Sequence, residues 1–216
     1  KKRNLLQDEI TDSKDKADAI LLNTIDGYEL YLNTYRKASS ENKQTIIEQR
    51  NAVAFNQALN KHTIDGYKYF IETYTNADQI NQAWDQIYII AFNQAEANHT
   101  IKEYEDFIVS YPHAPQVRLA HENIHEIAFN NAKEKNTSEA YKYFLDKYGN
   151  SKQYNQAFEL YETSEFLENT SDNNWISYRD FIINYYNNSK ISQTPSIKTS
   201  ETSLNHRRLD HQLCFV

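Results

Sequence analysis

A repeat of 37 residues constrains the fold of this chain more than any other feature of its sequence. Four aromatic positions recur in each copy at this spacing. The four series are Phe55, Phe92, Phe129 and Phe166; Tyr67, Tyr104, Tyr141 and Tyr178; Phe70, Phe107, Phe144 and Phe181; and Tyr74, Tyr111, Tyr148 and Tyr185. An earlier copy is offset by 39 residues, from Tyr28 to Tyr67, so two residues are inserted near residues 38–42. A period of about 20 to 50 residues indicates a chain built from stacked supersecondary units.

Each copy carries the apolar spacing of two helices. Tyr104, Phe107, Ile108 and Tyr111 stand at i, i+3, i+4 and i+7, which places them on one face of a short helix. A second stripe predicts a longer helix over residues 117–133. A residue whose side-chain oxygen can cap a helix precedes each short stripe: Thr24, Thr63, Thr100, Thr137 and Asn174. We therefore predict a helix of about 12 residues and one of about 20 in each copy.

Stacking of these helix pairs is required because one small pair cannot bury both of its apolar stripes. The sequence predicts an all-α fold, an α-solenoid of about four and a half helix-turn-helix repeats. Residues 1–23 are predicted to form an N-terminal helix that covers the first pair, and residues 24–186 to form the solenoid. Residues 187–216 lose the period and contain Pro195, so we expect a poorly ordered tail that contributes little to the fold.

Composition excludes several classes of protein. Three Gly and three Pro among 216 residues are too few for a many-stranded barrel or for Gly-rich phosphate loops. A net charge of -7 disfavours nucleic acid as a partner. The mean hydropathy of -0.84 predicts no membrane-spanning segment. The single cysteine, Cys214, excludes a disulfide or a Cys-based zinc site within one chain.

The run from Tyr104 to Ala114, followed by Ala120 and Ile124, resembles the tetratricopeptide-like repeats of Gram-negative outer-membrane-protein assembly lipoproteins. The resemblance spans residues 24–186, with a period of 37 residues in place of about 34. It implies a superhelix that serves as a non-enzymatic adaptor for a peptide or a partner domain, without a cofactor. It further implies an accessory subunit of a bacterial envelope assembly or secretion machine. The implied location is the periplasm or the inner face of the outer membrane, with the cytoplasm as the alternative.

The segment 121–125 reads His-Glu-Asn-Ile-His, the H-E-x-x-H pattern of zinc-dependent peptidases. In that pattern His121 and His125 would bind zinc and Glu122 would act as the general base. Glu122, however, belongs to an acidic position that recurs in each copy, and Asn131 stands where the extended pattern requires a third histidine. We predict that the chain is not an enzyme and holds no metal, and we keep the peptidase as the alternative.

Two sets of residues are candidates for binding a protein or peptide. The first set, the carboxylate column, consists of Glu48, Asp85, Glu122 and Glu159. Stacked repeats would set its members about 10 Å apart, either as a solvated face or as an acidic ladder for a basic partner. The second set, the apolar row, lies opposite the buried stripe of the short helices and consists of Leu30, Tyr69, Val109, Tyr143 and Ile183. Such a row is either scattered apolar surface or an interface.

Overall fold

A computed structural model describes the backbone of residues 2–34 and 38–191 and the side chains of residues 7–34 and 38–185. These residues form ten α-helices and no strand, which confirms the all-α prediction. No helix in the described ranges is long and apolar enough to cross a membrane. The helices are α1 (Lys2–Leu22), α2 (Ile25–Thr34), α3 (Ser40–Lys61), α4 (Ile64–Thr73), α5 (Ile80–Asn98), α6 (Ile101–Ser110), α7 (Val117–Lys135), α8 (Ser138–Lys147), α9 (Tyr154–Asn169) and α10 (Trp175–Ile191).

The helix boundaries repeat with the same period as the sequence. Helices α4, α6 and α8 have 10 residues each, and each begins 37 residues after the previous one. Helices α5 and α7 have 19 residues each. Both classes are slightly shorter than the sequence predicts. Helix α3 follows the inserted residues and is longer, with 22 residues.

The predicted caps of the short helices are confirmed. The side chain of Thr100 accepts a hydrogen bond from the backbone N–H of Glu103 at 3.2 Å, which satisfies one free donor of the first turn. The equivalent bonds in the other copies are Gly27 N–H to Thr24 at 3.1 Å, Gly66 N–H to Thr63 at 3.1 Å, Ala140 N–H to Thr137 at 3.2 Å and Ile176 N–H to Asn174 at 3.0 Å.

A residue in the left-handed conformation precedes each of these caps, a feature that the sequence analysis did not predict. The five residues have φ between 46° and 52° and are Asn23, His62, His99, Asn136 and Asn173. The side chain of each one contacts the hydroxyl of the tyrosine five residues later. Tyr141, for example, donates to Asn136 Oδ1 at 3.0 Å, and the Tyr104 hydroxyl lies 3.2 Å from His99 Nδ1. The left-handed residue thus forms the turn and also provides a hydrogen-bond partner for the tyrosine hydroxyl.

The core consists of repeated aromatic pairs. In each copy a phenylalanine of the long helix meets a phenylalanine of the next short helix, with ring centroids 5.3 Å apart. The pairs are Phe55 with Phe70, Phe92 with Phe107, Phe129 with Phe144, and Phe166 with Phe181. Ala83, Ala120 and Ala157 recur in the long helices and are fully buried. Alternation of large rings with alanine allows these helices to approach closely.

Each helix packs chiefly against its neighbours in sequence, and α1 packs against both α2 and α3. A buried carboxylate joins these three elements. Asp12 of α1 accepts hydrogen bonds from the Tyr31 hydroxyl, from Asn42 Nδ2 at 2.7 Å and from the backbone N–H of Ser39 at 3.3 Å. Ser39 and Asn42 lie in the region of the inserted residues, so the insertion supplies partners for Asp12.

Helix α10 departs from the repeat. The solenoid is predicted to end at residue 186 and the tail to begin at Asn187, whereas α10 continues to Ile191. The first five residues of the predicted tail are therefore helical. Residues 192–216, including Pro195, lie outside the described residues.

Candidate interaction surfaces

The apolar row lies on five short helices, α2, α4, α6, α8 and α10. All five of its side chains are exposed, as the sequence analysis expects for positions opposite the buried stripe. The exposed fractions are 67% for Leu30, 62% for Tyr69, 81% for Val109, 62% for Tyr143 and 49% for Ile183. Burial of exposed apolar side chains of this size is a main source of binding free energy, so the row is suited to contact another protein.

A carboxylate lies one helical turn from four of the five row members. Glu72, Asp106, Asp146 and Asp180 are three residues away from Tyr69, Val109, Tyr143 and Ile183, respectively, and all four are exposed. Residues three apart lie on the same face of a helix. Three of these carboxylates form ion pairs within their helix: Asp106 with Lys102, Asp146 with Lys142 and Asp180 with Arg179. The exposed face of the short helices is therefore mixed, with apolar groups beside partly neutralised charge.

One row member also lines a groove. An open groove of about 530 Å³ lies between α2 and α4, and buried Ala54 and Ala58 of α3 contribute to its wall. The ring of Tyr69 lines the same groove, together with the polar side chains of Gln57 and Lys61. The groove therefore combines apolar surface with a few polar groups, as ligand-binding clefts do.

Gly66 also lines this groove and leaves one side of it without a side chain. A Cβ at Gly66 would lie 3.0 Å from Thr63 Oγ1 and 3.4 Å from Lys61 Cβ. The equivalent position carries Glu103 in α6 and Ala140 in α8. The sequence analysis missed this groove, although a signal was present, since the pentapeptide Thr-Ile-Asp-Gly-Tyr occurs at both 24–28 and 63–67.

The carboxylate column is less uniform than its spacing suggests. Glu48, Asp85 and Glu159 are exposed, and Glu48 accepts a hydrogen bond from Gln44 Nε2 at 2.9 Å. Glu122 is partly buried and pairs with Arg118 in α7 and with Lys152 Nζ at 2.8 Å. The hydrogen bond from Lys152 and the charge of Arg118 hold the pKa of Glu122 below its ordinary value. Two cations therefore compensate the negative charge near the centre of the column.

The H-E-x-x-H residues are engaged in different contacts. His121 is exposed, whereas His125 is partly buried and its ring lies 5.4 Å from the ring of Tyr148. Burial and the neighbouring His121 lower the pKa of His125. In the preceding copy, Tyr88 occupies the position of His125, and its ring lies 6.0 Å from that of Tyr111. His125 thus fills a packing position of the repeat.

No set of three or more His, Cys, Asp or Glu side chains is placed to hold a metal ion within the ranges given above. Glu122, the general base of the peptidase alternative, is paired with two cations. The contacts of this segment are those of a helix surface.

Comparison with known proteins adds no family assignment. The chain matches none of the protein-family models and none of the curated proteins.

Proposed function

We propose that this chain is a non-enzymatic scaffold, an α-solenoid of helix pairs that binds a protein or peptide through the exposed face of its short helices. The observation that carries the proposal is the apolar row, whose members are exposed on five short helices, whereas the aromatic stripes of α4 and α8 are buried. Exposed apolar groups that recur along regularly spaced elements favour an extended partner that contacts several units at once.

Three features support the solenoid arrangement. The helix boundaries repeat every 37 residues, the helices pack chiefly against their sequence neighbours, and the aromatic pair at 5.3 Å recurs from copy to copy. Local contact between successive units is the defining property of such arrays. The resemblance to tetratricopeptide-like envelope lipoproteins supports the same arrangement, and with it a role as an accessory subunit of an envelope assembly or secretion machine.

The row is favoured over the carboxylate column as the binding surface. Glu122 already pairs with Arg118 and Lys152, so a basic partner would have to displace an existing ion pair at that position. Surface ion pairs contribute little, typically about 0 to 1 kcal/mol. An apolar side chain that becomes buried at an interface contributes roughly 1.5 to 3 kcal/mol.

Affinity capture from lysate of the source cells tests this choice. We expect the double variant Tyr69→Ala with Tyr143→Ala to capture at least about ten-fold less of a protein that the unmodified chain captures. The matched double variant Asp85→Lys with Glu122→Lys should retain that protein, and capture should persist at about 1 M salt. If the charge-reversal variant fails to capture the protein, and salt releases the protein from the unmodified chain, the carboxylate column binds a basic partner instead.

The two glycines of the repeated pentapeptide provide a sharper control. Gly66→Ala places a methyl group at the wall of the α2–α4 groove, whereas Gly27→Ala makes the same change in α2, outside the lining of that groove. If the groove accepts a side chain of the partner, Gly66→Ala should weaken capture and Gly27→Ala should not. Equal effects of the two changes would remove the groove from the binding surface.

Metal analysis tests the peptidase alternative. We expect purified protein to contain far less than one zinc ion per chain. Stoichiometric zinc that is lost in His121→Ala would contradict the scaffold proposal, because Glu122 and both histidines would then have to leave their present contacts to form a site.

A further inference from the structure

Helix α10 exposes an aromatic face that is buried in the equivalent short helices α4 and α8. Tyr141, Phe144 and Tyr148 of the α8 unit are buried, and the helix that follows, α9, packs against α8. The equivalent residues of the last unit, Tyr178, Phe181 and Tyr185, are partly exposed. Within the described residues, α10 packs against α9, the helix that precedes it.

This face forms one wall of an open groove of about 690 Å³ between α9 and α10. Aromatic side chains of both helices line it, together with three carboxylates and three neutral polar side chains. The aromatic residues are Phe158, Tyr161, Phe181 and Tyr185, and the carboxylates are Glu162, Glu165 and Asp180. Tyr185 donates a hydrogen bond to Glu162 at 2.6 Å, and Asp180 pairs with Arg179 at 2.7 Å. An uncovered aromatic groove with an acidic rim fits a segment that is both apolar and basic.

A second copy of this chain docked through the same groove would bring its own three carboxylates against these three. Like charges at close range in an interface are unfavourable. The occupant should therefore carry apolar groups together with positive charge, which the groove itself does not supply.

The chain contains such a segment at residues 204–216. Leu209, Leu213 and Val216 stand at i, i+4 and i+7, the spacing of one helix face, and Arg207 and Arg208 directly precede them. The 12 residues 192–203 separate this segment from α10 and can span about 40 Å when extended. Helix α9, with its 16 residues, is about 24 Å long. The connection is therefore long enough for the segment to reach any part of the groove.

We propose that residues 204–216 cover the α9–α10 groove of their own chain, with Leu209 and Leu213 against the exposed rings and Arg207 and Arg208 near Glu162 and Glu165. The segment takes the role that the following long helix has in the earlier units. It closes the apolar end that stacked repeats must shield from water. The proposal departs from the expectation that residues after 186 contribute little to the fold.

Disulfide trapping in the full-length chain tests the proposal, because Cys214 is the only cysteine. Asn184→Cys introduces a second thiol within the groove lining. Ile182→Cys is the matched control, since residue 182 is exposed, lies outside that lining, and is two residues, or about 200° around the helix, from residue 184. Both variants close loops of nearly equal length.

We expect the intramolecular disulfide to form at least about ten-fold faster in Asn184→Cys than in Ile182→Cys, and the difference to vanish in urea. Equal rates in the folded chain would overturn the proposal. Covalent dimers that form from Asn184→Cys but not from the unmodified chain or from Ile182→Cys would also overturn it, because a second copy would then occupy the groove.

A second experiment tests the charges and introduces charge reversals into the Asn184→Cys variant. Arg207→Glu with Arg208→Glu should slow disulfide formation several-fold, and the further change Glu165→Lys should restore part of the rate. Circular dichroism establishes that each variant keeps its helix content. If neither change alters the rate of disulfide formation, the placement of the arginines beside the carboxylates is wrong.

Discussion

At the scale of single residues, the left-handed position before each short helix links backbone geometry to side-chain chemistry. Asparagine occupies it at Asn23, Asn136 and Asn173, and histidine at His62 and His99. Asparagine tolerates positive φ better than most residues because its short polar side chain can bond locally. The two histidines contact the equivalent tyrosine hydroxyls, those of Tyr67 and Tyr104, through Nδ1. The position therefore favours a residue that tolerates positive φ and whose side chain can hydrogen-bond the tyrosine hydroxyl.

We predict that His99→Asn changes the free energy of unfolding by no more than about 0.5 kcal/mol, because Asn136 already fills the same role one unit later. His99→Ala should cost about 1 to 3 kcal/mol, since it leaves the buried Tyr104 hydroxyl without this partner and keeps the unfavourable φ. Urea unfolding measures both values. Equal costs for the two variants would show that the tyrosine contact does not contribute.

Phe107 provides a direct test of the core assignment. Its side chain is 4% exposed and contacts the rings of Phe92 at 5.3 Å and Tyr111 at 5.8 Å. We predict that Phe107→Ala lowers the free energy of unfolding by about 3 to 5 kcal/mol, the usual cost of truncating a buried ring. Val109→Ala, on the exposed side of the same helix, is the control and should cost less than about 0.5 kcal/mol. A loss under about 1 kcal/mol at Phe107 would mean that the stripe is misassigned.

At the scale of elements, the attachment of α1 depends on Asp12. Burial raises the pKa of Asp12, but hydrogen bonds from Tyr31, Asn42 and Ser39, with the charge of Lys16, outweigh this effect and hold the pKa below its ordinary value of 3.8. A carboxyl whose pKa is lowered by folding stabilises the fold above its unfolded pKa. That contribution is lost as the pH falls through the lowered folded pKa.

We predict that Asp12→Ala destabilises the chain by about 1 to 3 kcal/mol at neutral pH, because three donors, including the buried Tyr31 hydroxyl, lose their acceptor. The difference from the unmodified chain should shrink as the pH falls through the lowered pKa of Asp12, because the carboxyl of the unmodified chain then also becomes protonated. Denaturant titrations at several pH values measure this trend. Asp18→Ala, at an exposed position of α1, should show no such dependence.

Much of the helix pattern follows from the sequence because short-range chemistry fixes it. The threonine caps mark where the short helices begin, and Pro112 and Gly149 mark where two of them end. Tyr186 stands at the position equivalent to Pro112 and Gly149 and gives no signal to stop, which accounts for the continuation of α10. The predicted boundary at residue 186 therefore lies five residues before the observed end of α10.

The candidate surfaces likewise include features that the sequence predicts and features that depend on contacts between helices. Exposure of the apolar row could be predicted, because the row lies opposite a strong stripe on each short helix. The α2–α4 groove depends on Gly66 and on side chains from three helices, and the pairing of Glu122 with Lys152 joins residues 30 apart. Such contacts depend on how neighbouring units stack, and one helix read in isolation does not contain that information.

At the scale of the whole molecule, the aromatic pair that recurs between successive units predicts that one complete period can be removed. Deletion of residues 101–137 joins Thr100 to Ser138, so that Thr100 caps α8 in place of α6 and Phe144 meets Phe92. We expect a cooperatively unfolding helical chain, with a denaturant m-value reduced roughly in proportion to the residues removed.

Deletion of residues 101–131, six residues short of a period, provides the control. It leaves residues 132–137 as six extra residues between α5 and α8, so Phe144 no longer takes the place of Phe107 against Phe92, and we expect less cooperative unfolding. Far-ultraviolet circular dichroism with urea titration compares the two deletions. If both behave alike, the 37-residue register does not govern how the units pack.

The placement of the two tryptophans determines what an optical measurement can detect. Trp84 of α5 is partly buried and stacks on Tyr88 with ring centroids 5.8 Å apart, whereas Trp175 at the start of α10 is 67% exposed. Emission from Trp175 therefore changes little when α10 opens, and the fluorescence signal reports mainly on the middle of the chain. Separation of the last helix from α9 would be nearly silent in fluorescence yet visible as lost helicity. Disagreement between the two spectroscopic curves would thus reveal that this end of the molecule opens first.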